Sequence, residues 1–283
     1  LLKAFAEVKP TVILSVPLIL EKIYKKMIQP QISKTPVSWV LKVPFLDEIV
    51  CAKIREQLVQ AFGGEFKQII IGGAPLNPEV EAFLRRIKFP MSVGYGMTEC
   101  APLISFAPYE QSKLYSCGKP LDGIMEVKIL SPNEEGIGEI VTKGENTMTG
   151  YFKNPKATKE SFTKDGWLRT GDLGMIDEDG FIFIMGRKKS VIVLKNGKNI
   201  FPEEMESLIN RIEGVKESFI FGKSNKKDKD DIRIHAKVVY DKDIMGGYTD
   251  KTFKPKNTVT RAEFATMLVK GFNMDNCSLE PKC

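Results

Sequence analysis

Apolar residues along this chain first fall in short unbroken runs joined to helical stripes, and later in short alternating segments. Thr11 to Val16 predicts a buried strand running into a helix. Pro17 stands near that helix's first turn, and Leu20, Ile23, Tyr24 and Met27 share one face. Gln68 to Ile71 predicts a second buried strand, ending at Gly72-Gly73. Asn77 and Pro78 then supply an N-cap and a first helical residue, followed by Val80, Phe83, Leu84 and Ile87 at helical spacing. Strand, glycine turn and helix in that order predict an α/β layer. From about Cys117 to Met185 the texture changes. Glu126 to Leu130, Gly138 to Thr142 and Phe181 to Met185 alternate between glycine and Asp-Gly turns, which predicts antiparallel β as a small barrel or a meander. After Gly186 comes a lysine-rich strand-turn segment. A helix is expected from about Pro202, with Met205, Leu208, Ile209 and Ile212 on one face. Near Met245 a turn-rich stretch begins and leads to Thr260-Arg261-Ala262-Glu263, a capping-box pattern, with Phe264, Met267 and Leu268 on the helix after it. There is no internal repeat.

Composition narrows the class. The 283 residues are 42% hydrophobic and 28% charged, enough apolar material for one large core or two smaller ones. Ser15 and Pro17 interrupt the apolar run at Thr11 to Leu20, which falls short of the roughly 20 residues a membrane helix needs. The net charge of +6 is spread among nearly as many acids as bases, so the balance argues against nucleic acid. The mixed run Lys223 to Asp231 reads as a solvated loop. Five widely spaced cysteines form no metal-ligand pair and fit a reducing compartment. The chain starts at Leu1 rather than Met, with no signal peptide near it, and this start is not expected to be that of the gene product.

Four separated segments carry candidate chemistry. Ile71-Gly72-Gly73-Ala74-Pro75 ends a strand in small residues, against which a flat heterocycle can lie; a tight strand-helix turn has the same signature. In Tyr95-Gly96-Met97-Thr98-Glu99 a ring can stack on a base, a hydroxyl can bond phosphate and a carboxylate can hold Mg²⁺; the plain alternative is a capped turn. In Gly166 to Gly174, Asp172 stands near glycines and suits acceptance of two ribose hydroxyls, or it makes an Asx-turn. In Gly186-Arg187-Lys188-Lys189-Ser190, Arg187 can reach ribose or phosphate oxygens, or it belongs to a basic surface turn. His235, the only histidine, lies in an alternating strand and reads as a surface or packed residue. Trp39, Trp167, Phe181 and Phe183 read as packing residues.

In this order and spacing the four segments resemble the adenylate-forming superfamily. Val93-Gly94-Tyr95-Gly96-Met97-Thr98-Glu99-Cys100-Ala101-Pro102 is most similar to bacterial long-chain fatty-acid–CoA ligases. So is the opening Lys9-Pro10-Thr11-Val12 to Pro17 with Glu21-Lys22-Ile23-Tyr24. The resemblance covers about residues 1 to 240. It implies an α/β fold with a β-barrel-like subdomain: the C-terminal part of the large adenylate-forming domain, a truncated small α+β domain and a helical tail module. Residues 1–116 would be the α/β lobe, 117–186 the antiparallel β subdomain, 187–243 the truncated mobile domain and 244–283 the tail. By position, Gly73, Ala74 and Tyr95 would line the adenine pocket, with Pro75 and Gly96 beside them in the nucleotide site. Thr98 would bond phosphate, Glu99 would bind Mg²⁺, and both count as catalytic. Asp172 would hold the ribose hydroxyls, helped by Arg187. Lys189 matches the hinge, Gly197 the loop toward the CoA channel, and Asn199 a phosphate contact. The implied reaction activates a fatty acid with ATP to an acyl-adenylate, which the thiol of CoA then cleaves, in the cytoplasm or at the membrane periphery.

Two parts of the family pattern have no counterpart in this sequence: a Ser/Thr/Gly-rich phosphate loop ending in Lys, and the late lysine that contacts carboxylate and α-phosphate. Each removes transition-state charge stabilisation of roughly 3 kcal/mol or more. The expectation is therefore that this chain alone forms no acyl-CoA, and that apolar surface within residues 1 to 115 is exposed. Gly247 to Pro255 with Val259-Thr260-Arg261-Ala262-Glu263-Phe264-Ala265 resembles part of an S-layer homology repeat, a family that binds cell-wall polysaccharide. That resemblance opens a second reading, a non-catalytic wall-associated protein at the cell surface carrying a ligase remnant. A third is an adenylating enzyme for another carboxylic acid.

Overall fold

A computed structural model describes residues 2–32, 46–195, 199–210, 212, 214–224 and 232–240. The chain divides into two compact units, the first ending at Lys188 and the second starting at Lys189.

The first unit opens with helix α1 (Leu2–Val8), strand β1 (Val12–Ser15) and helix α2 (Pro17–Ile23), which continues through a wider turn over Tyr24–Ile28. Helix α3 (Leu46–Ala61), strand β2 (Gln68–Ile71), helix α4 (Pro78–Arg86) and strand β3 (Met91–Val93) follow. β1, β2 and β3 pair in parallel in that order. Parallel neighbours need long crossovers, and the helices between the strands provide them. Leu20, Leu58, Phe62, Leu84, Phe89 and Met91 form the centre of the core beneath this sheet. α4 starts as its sequence dictates. The Asn77 side-chain oxygen accepts from the backbone N–H of Glu79 at 2.9 Å and of Val80 at 3.3 Å, and Pro78 occupies the first turn, where its missing N–H goes unneeded. Val80, Leu84 and Ile87 are buried.

β1 departs from its sequence reading as a buried strand. Ile13 faces the core, but Val12 and Leu14 are 54% and 78% exposed, and Val8, Val16 and Leu18 are exposed near them. A strand's side chains alternate between faces, and along β1 only the face of Ile13 is covered among the described residues, whereas strands of parallel sheets are usually covered on both. The apolar surface expected in the first 115 residues is therefore found around β1.

One turn of α4 also holds the loop that follows. Glu81 is buried, and its carboxylate accepts from the backbone N–H of Tyr115 at 2.8 Å. Arg85 donates to the Tyr109 carbonyl at 3.1 Å and to the Ser112 hydroxyl. Burial pushes the Glu81 carboxyl above its ordinary range, only partly offset by the Tyr115 N–H and Arg85. A raised carboxyl opposes folding once ionised, so its contribution worsens as pH rises through the folded-state value and is absent below the unfolded one. Glu81→Gln keeps an acceptor for Tyr115 without the charge. It is expected to raise the melting temperature at pH 7, with the gain fading as pH falls to about 4, the unfolded value; a pH series of thermal melts checks this.

Strands β4 (Tyr95–Gly96), β5 (Leu103–Phe106) and β6 (Lys119–Pro120) make a small antiparallel sheet. β7 (Met125–Leu130), β8 (Gly138–Gly144), β9 (Leu168–Ile176) and β10 (Ile182–Arg187) make a four-stranded antiparallel sheet in the order β10-β9-β8-β7, with helix α5 (Pro155–Ser161) between β8 and β9 in sequence. Of the two forms the sequence allowed, this is the meander: β7 and β10 are edges rather than partners. Phe181 is buried beneath the Lys119 ammonium, 4.7 Å from its ring centre, and Lys128 lies 4.0 Å over Trp167. Both aromatics serve packing.

The second unit contains β11 (Ile192–Val193), β12 (Asn199–Ile200), helix α6 (Pro202–Ile209), β13 (Val215–Ser224) and β14 (Ile232–Tyr240). Its core gathers Ile192, Ile209, Ile212, Val215 and Ile220, with Met205 packed against them. Leu208 does not join the helix's apolar face as the spacing suggested; it is 57% exposed. The helix ends at Ile209 and its buried stripe centres on Met205 and Ile209, which leaves Leu208 on the flank. His235 is exposed on β14, stacked on Phe221 at 5.6 Å. Trp39, Gly197, residues 225–231 and the tail from 241 onward lie outside the described residues. Among the described residues no helix is long and apolar enough to cross a membrane.

Candidate functional site

The parallel sheet positions the first two candidate segments. β2 and β3 are adjacent and parallel, with Ile71 opposite Val93, so Gly72-Gly73-Ala74-Pro75 and Gly94 to Glu99 leave the sheet side by side at its carboxyl edge. That edge is where open α/β sheets place their ligands. Gly73, Ala74 and Pro75 are exposed there, and Gly73 has φ +85, a backbone region that glycine enters without strain. Gly96 is needed for a different reason: a Cβ on it would lie 2.0 Å from the Pro102 carbonyl oxygen.

Tyr95 is buried among Cys100, Ile104, Met125, Ile140, Leu168 and Ile182, so its ring is fixed from behind. Its hydroxyl donates to Asp172 Oδ2 at 2.7 Å. Burial and the neighbouring Asp172 push the phenol far above its ordinary value, so it remains a donor. Asp172 itself lies within β9, just after an irregularity at Gly171 (φ +74), rather than in the Asx-turn that was the plain alternative. Its backbone N–H donates to the Thr170 hydroxyl at 3.1 Å, and that hydroxyl donates to the Ile140 carbonyl at 2.8 Å. Arg187, opposite Asp172 across the β9–β10 pairing, places Nε 2.8 Å from Oδ1. Tyr95, Asp172 and Arg187, up to 92 positions apart (187 minus 95), thus meet at one buried carboxylate.

Thr98 opens a single turn of 3₁₀ helix, Thr98–Cys100, and is exposed; Met97 rather than Thr98 stands at its cap. Glu99 is half-buried. Its Oε1 accepts from the Tyr151 hydroxyl at 2.7 Å, and its backbone carbonyl accepts from Met148 at 2.8 Å. The loop carrying Tyr151 is held in turn by Asn146, which donates to the carbonyls of Cys100 and Leu103. Sequence reasoning missed Tyr151, because its partner is 52 residues away and no spacing links them. It also missed Glu139, buried in β8, which accepts from Arg169 at 2.6 Å and Lys188 at 2.9 Å.

Among the described residues no group of three or more His, Cys, Asp or Glu could form a metal cage. Mg²⁺ does not require one, since it commonly takes one or two carboxylates, water and substrate phosphate. Glu99, oriented by Tyr151 beside the Thr98 hydroxyl, fits that kind of site. Cys51, Cys100 and Cys117 are free, and burial pushes the Cys100 and Cys117 thiols up to about 11 and about 12, which leaves them unreactive packing groups. Lys189 is exposed and is the first residue of the second unit, and Asn199 is exposed on β12 of that unit.

The chain is similar to several known proteins. The chain is 32% identical over 246 residues to the long-chain-fatty-acid–CoA ligase FadD15 of Mycobacterium bovis, a match spanning 78% of this chain and 39% of the relative. It is 36% identical over 184 residues to the 2-succinylbenzoate–CoA ligase of Listeria monocytogenes, spanning 63% of this chain and 38% of that enzyme. The chain therefore spans about two-fifths of the length of these curated relatives. Among solved structures, the o-succinylbenzoate CoA synthetase of Bacillus subtilis superposes in complex with its acyl-adenylate intermediate at TM-score 0.66 and 26% identity, over 100% of this chain and 48% of that one. The same enzyme with ATP and magnesium ion superposes at 0.64 and 27% identity, over 95% and 47%. A model of the S-layer homology domain matches residues 230–265, starting earlier than the tail boundary at 244 and overlapping β14. A model of the AMP-binding enzyme matches residues 1–152, more than half of the 283, and the chain belongs to that family of adenylate-forming CoA ligases.

Proposed function

We propose that this chain carries the adenine-, ribose- and magnesium-binding part of a long-chain fatty-acid–CoA ligase. The observation that carries the reading is the meeting of Tyr95, Asp172 and Arg187 at one buried carboxylate beside the carboxyl edge of the parallel sheet. The Tyr95 ring, braced by the core, presents a flat face to adenine, against the small residues Gly73, Ala74 and Pro75. Asp172 accepts the ribose hydroxyls, and Arg187 turns its guanidinium toward ribose or phosphate oxygen. Thr98 donates to phosphate, and Glu99 holds Mg²⁺, which when bound neutralises charge on the phosphates. In the whole enzyme the fatty-acid carboxylate attacks the α-phosphorus, pyrophosphate leaves, and the CoA thiol then displaces AMP from the acyl-adenylate. In both steps the protein contributes position and electrostatics rather than a covalent bond. Lys189 serves as the pivot between the half-reactions, and Asn199 as a phosphate contact.

The long-chain assignment draws support from the length of the match, 246 residues against 184 for the 2-succinylbenzoate enzyme. Titration calorimetry with three non-hydrolysable ligands tests it without requiring turnover: AMP, a palmitoyl-adenylate analogue and a 2-succinylbenzoyl-adenylate analogue. The palmitoyl analogue is expected to bind at least about tenfold tighter than either, from burial of several methylenes. A preference for the succinylbenzoyl analogue would move the chain to the other acid class. Tyr151→Phe is expected to raise the Mg²⁺ concentration for half-maximal ATP binding about threefold to tenfold, the scale of one ordinary net hydrogen bond of about 1 kcal/mol, because the site is part-exposed. AMP affinity without Mg²⁺ should be unchanged in that variant.

The S-layer homology match at residues 230–265 favours a second reading, attachment to cell-wall polysaccharide. Co-sedimentation of the 283-residue chain with purified cell walls, with and without residues 241–283, separates the two.

A further inference from the structure

Arg187 and Lys188 are the last two residues of the first compact unit, and each ends on its own buried carboxylate. Arg187 reaches Asp172, and Lys188 Nζ lies 2.9 Å from Glu139 Oε2. The backbone N–H of Lys188 also donates to the Gly171 carbonyl at 2.9 Å. Glu139 belongs to β8, two strands away from β10, so the Lys188 side chain crosses β9 to reach it. Lys189 and Ser190 beyond them are exposed, and the division between the units falls between Lys188 and Lys189.

Charge balance in the sheet does not explain Lys188. Arg169 already satisfies Glu139 at 2.6 Å on the same oxygen, so the carboxylate is neutralised before Lys188 arrives. The second cation comes from the residue at which the first compact unit ends. We propose that Glu139 is a positioning residue that clamps Lys188 and so sets where the chain begins to turn between the units. This rests on the reading of Lys189 as a pivot. It adds that the clamp is separate from the nucleotide carboxylate. When ribose takes the lone pairs of Asp172 and Arg187 turns toward the ligand, Glu139 still holds Lys188. The pivot then stays at one residue in both half-reactions instead of sliding back into β10.

Limited trypsin digestion of the native 283-residue chain, with cut sites mapped by mass spectrometry, tests both parts. Cleavage after Lys188 requires its side chain to leave Glu139 and enter the protease. The parent is expected to be cut after Lys189 and spared after Lys188. Glu139→Gln should accelerate cleavage after Lys188 at least about fivefold, the scale for a part-exposed ion pair when cleavage follows local opening. Lys188→Arg should stay protected. Hydrogen exchange across β8 and β9 is read in parallel and should be unchanged. Equal cleavage in parent and Glu139→Gln, or faster cleavage accompanied by lost protection throughout β8 and β9, overturns the clamp. A parent resistant after Lys189 while Glu139→Gln opens at Lys188 upholds the clamp and removes the pivot.

Discussion

Asp172→Ala is expected to weaken AMP binding by at least about 100-fold and to lower the stability of the first unit by about 1–3 kcal/mol. The two losses have separate causes. Binding falls because two hydrogen bonds from ribose to a charged acceptor disappear, each contributing about 1.5–3 kcal/mol. Stability falls because the Tyr95 hydroxyl, donated to Asp172 at 2.7 Å, is left buried without an acceptor. Arg187 loses its partner at little expense, since its side chain is 62% exposed and water replaces the carboxylate. Asp172→Asn separates the effects: the amide oxygen can still accept from Tyr95, while the NH₂ faces the donors of Arg187 and of ribose. AMP affinity should drop more than about tenfold in the Asp172→Asn protein, one charged bond's worth, with less than half the stability loss of the alanine form. Calorimetric titration and urea unfolding measure the pair. Unchanged AMP affinity in Asp172→Ala would remove this carboxylate from the nucleotide site.

The largest effect on folding is expected at Phe89→Ala. Phe89 is fully buried, with ring centres 5.3 Å from Phe66 and 5.9 Å from Phe62, and Phe62 stacks on Phe66 in turn. Removing the ring forfeits transfer energy and leaves a cavity that the two neighbouring aromatics cannot close, a loss of about 3–5 kcal/mol. Against a usual stability of about 5–15 kcal/mol and a urea slope of about 2 kcal/mol/M, the unfolding midpoint should fall by roughly 1.5–2.5 M. Phe152→Ala is the control, because Phe152 is 88% exposed and its loss should stay within about 0.5 kcal/mol. A midpoint shift in Phe89→Ala as small as that of the control would mean that the aromatic cluster does not hold the sheet to its helices.

Local chemistry was legible wherever cause and effect lie within one helical turn or one tight turn. Asn77-Pro78 capped its helix because the acceptor and the N–H groups it serves are two and three residues apart. Gly73 took a positive φ at a strand end where the chain must turn sharply. The alternating segments after Cys117 became β7, β8 and β10 because period two is a backbone property, while β9, the strand between β8 and β10, was not read as one. Burial was less legible. The run Val12 to Leu14 is apolar throughout, yet only Ile13 is inside, since which face is covered depends on the layers around a sheet. Leu208 failed in the same way, at the flank of a short helix.

The sequence by itself determined the passage from an α/β layer to antiparallel β, the motifs containing Tyr95, Thr98, Glu99, Asp172 and Arg187, and through them the family. Those motifs are legible because their residues are near neighbours along the chain. The tertiary structure alone decided which of them touch: Tyr95 and Arg187 on Asp172, Tyr151 on Glu99, and Arg169 with Lys188 on Glu139. Every one of these pairs joins residues at least 15 positions apart (187 minus 172 is the shortest), brought together by strand register or by the loops that the packed sheets hold in place. A buried carboxylate needs partners, but the one-dimensional pattern does not say from which strand they come.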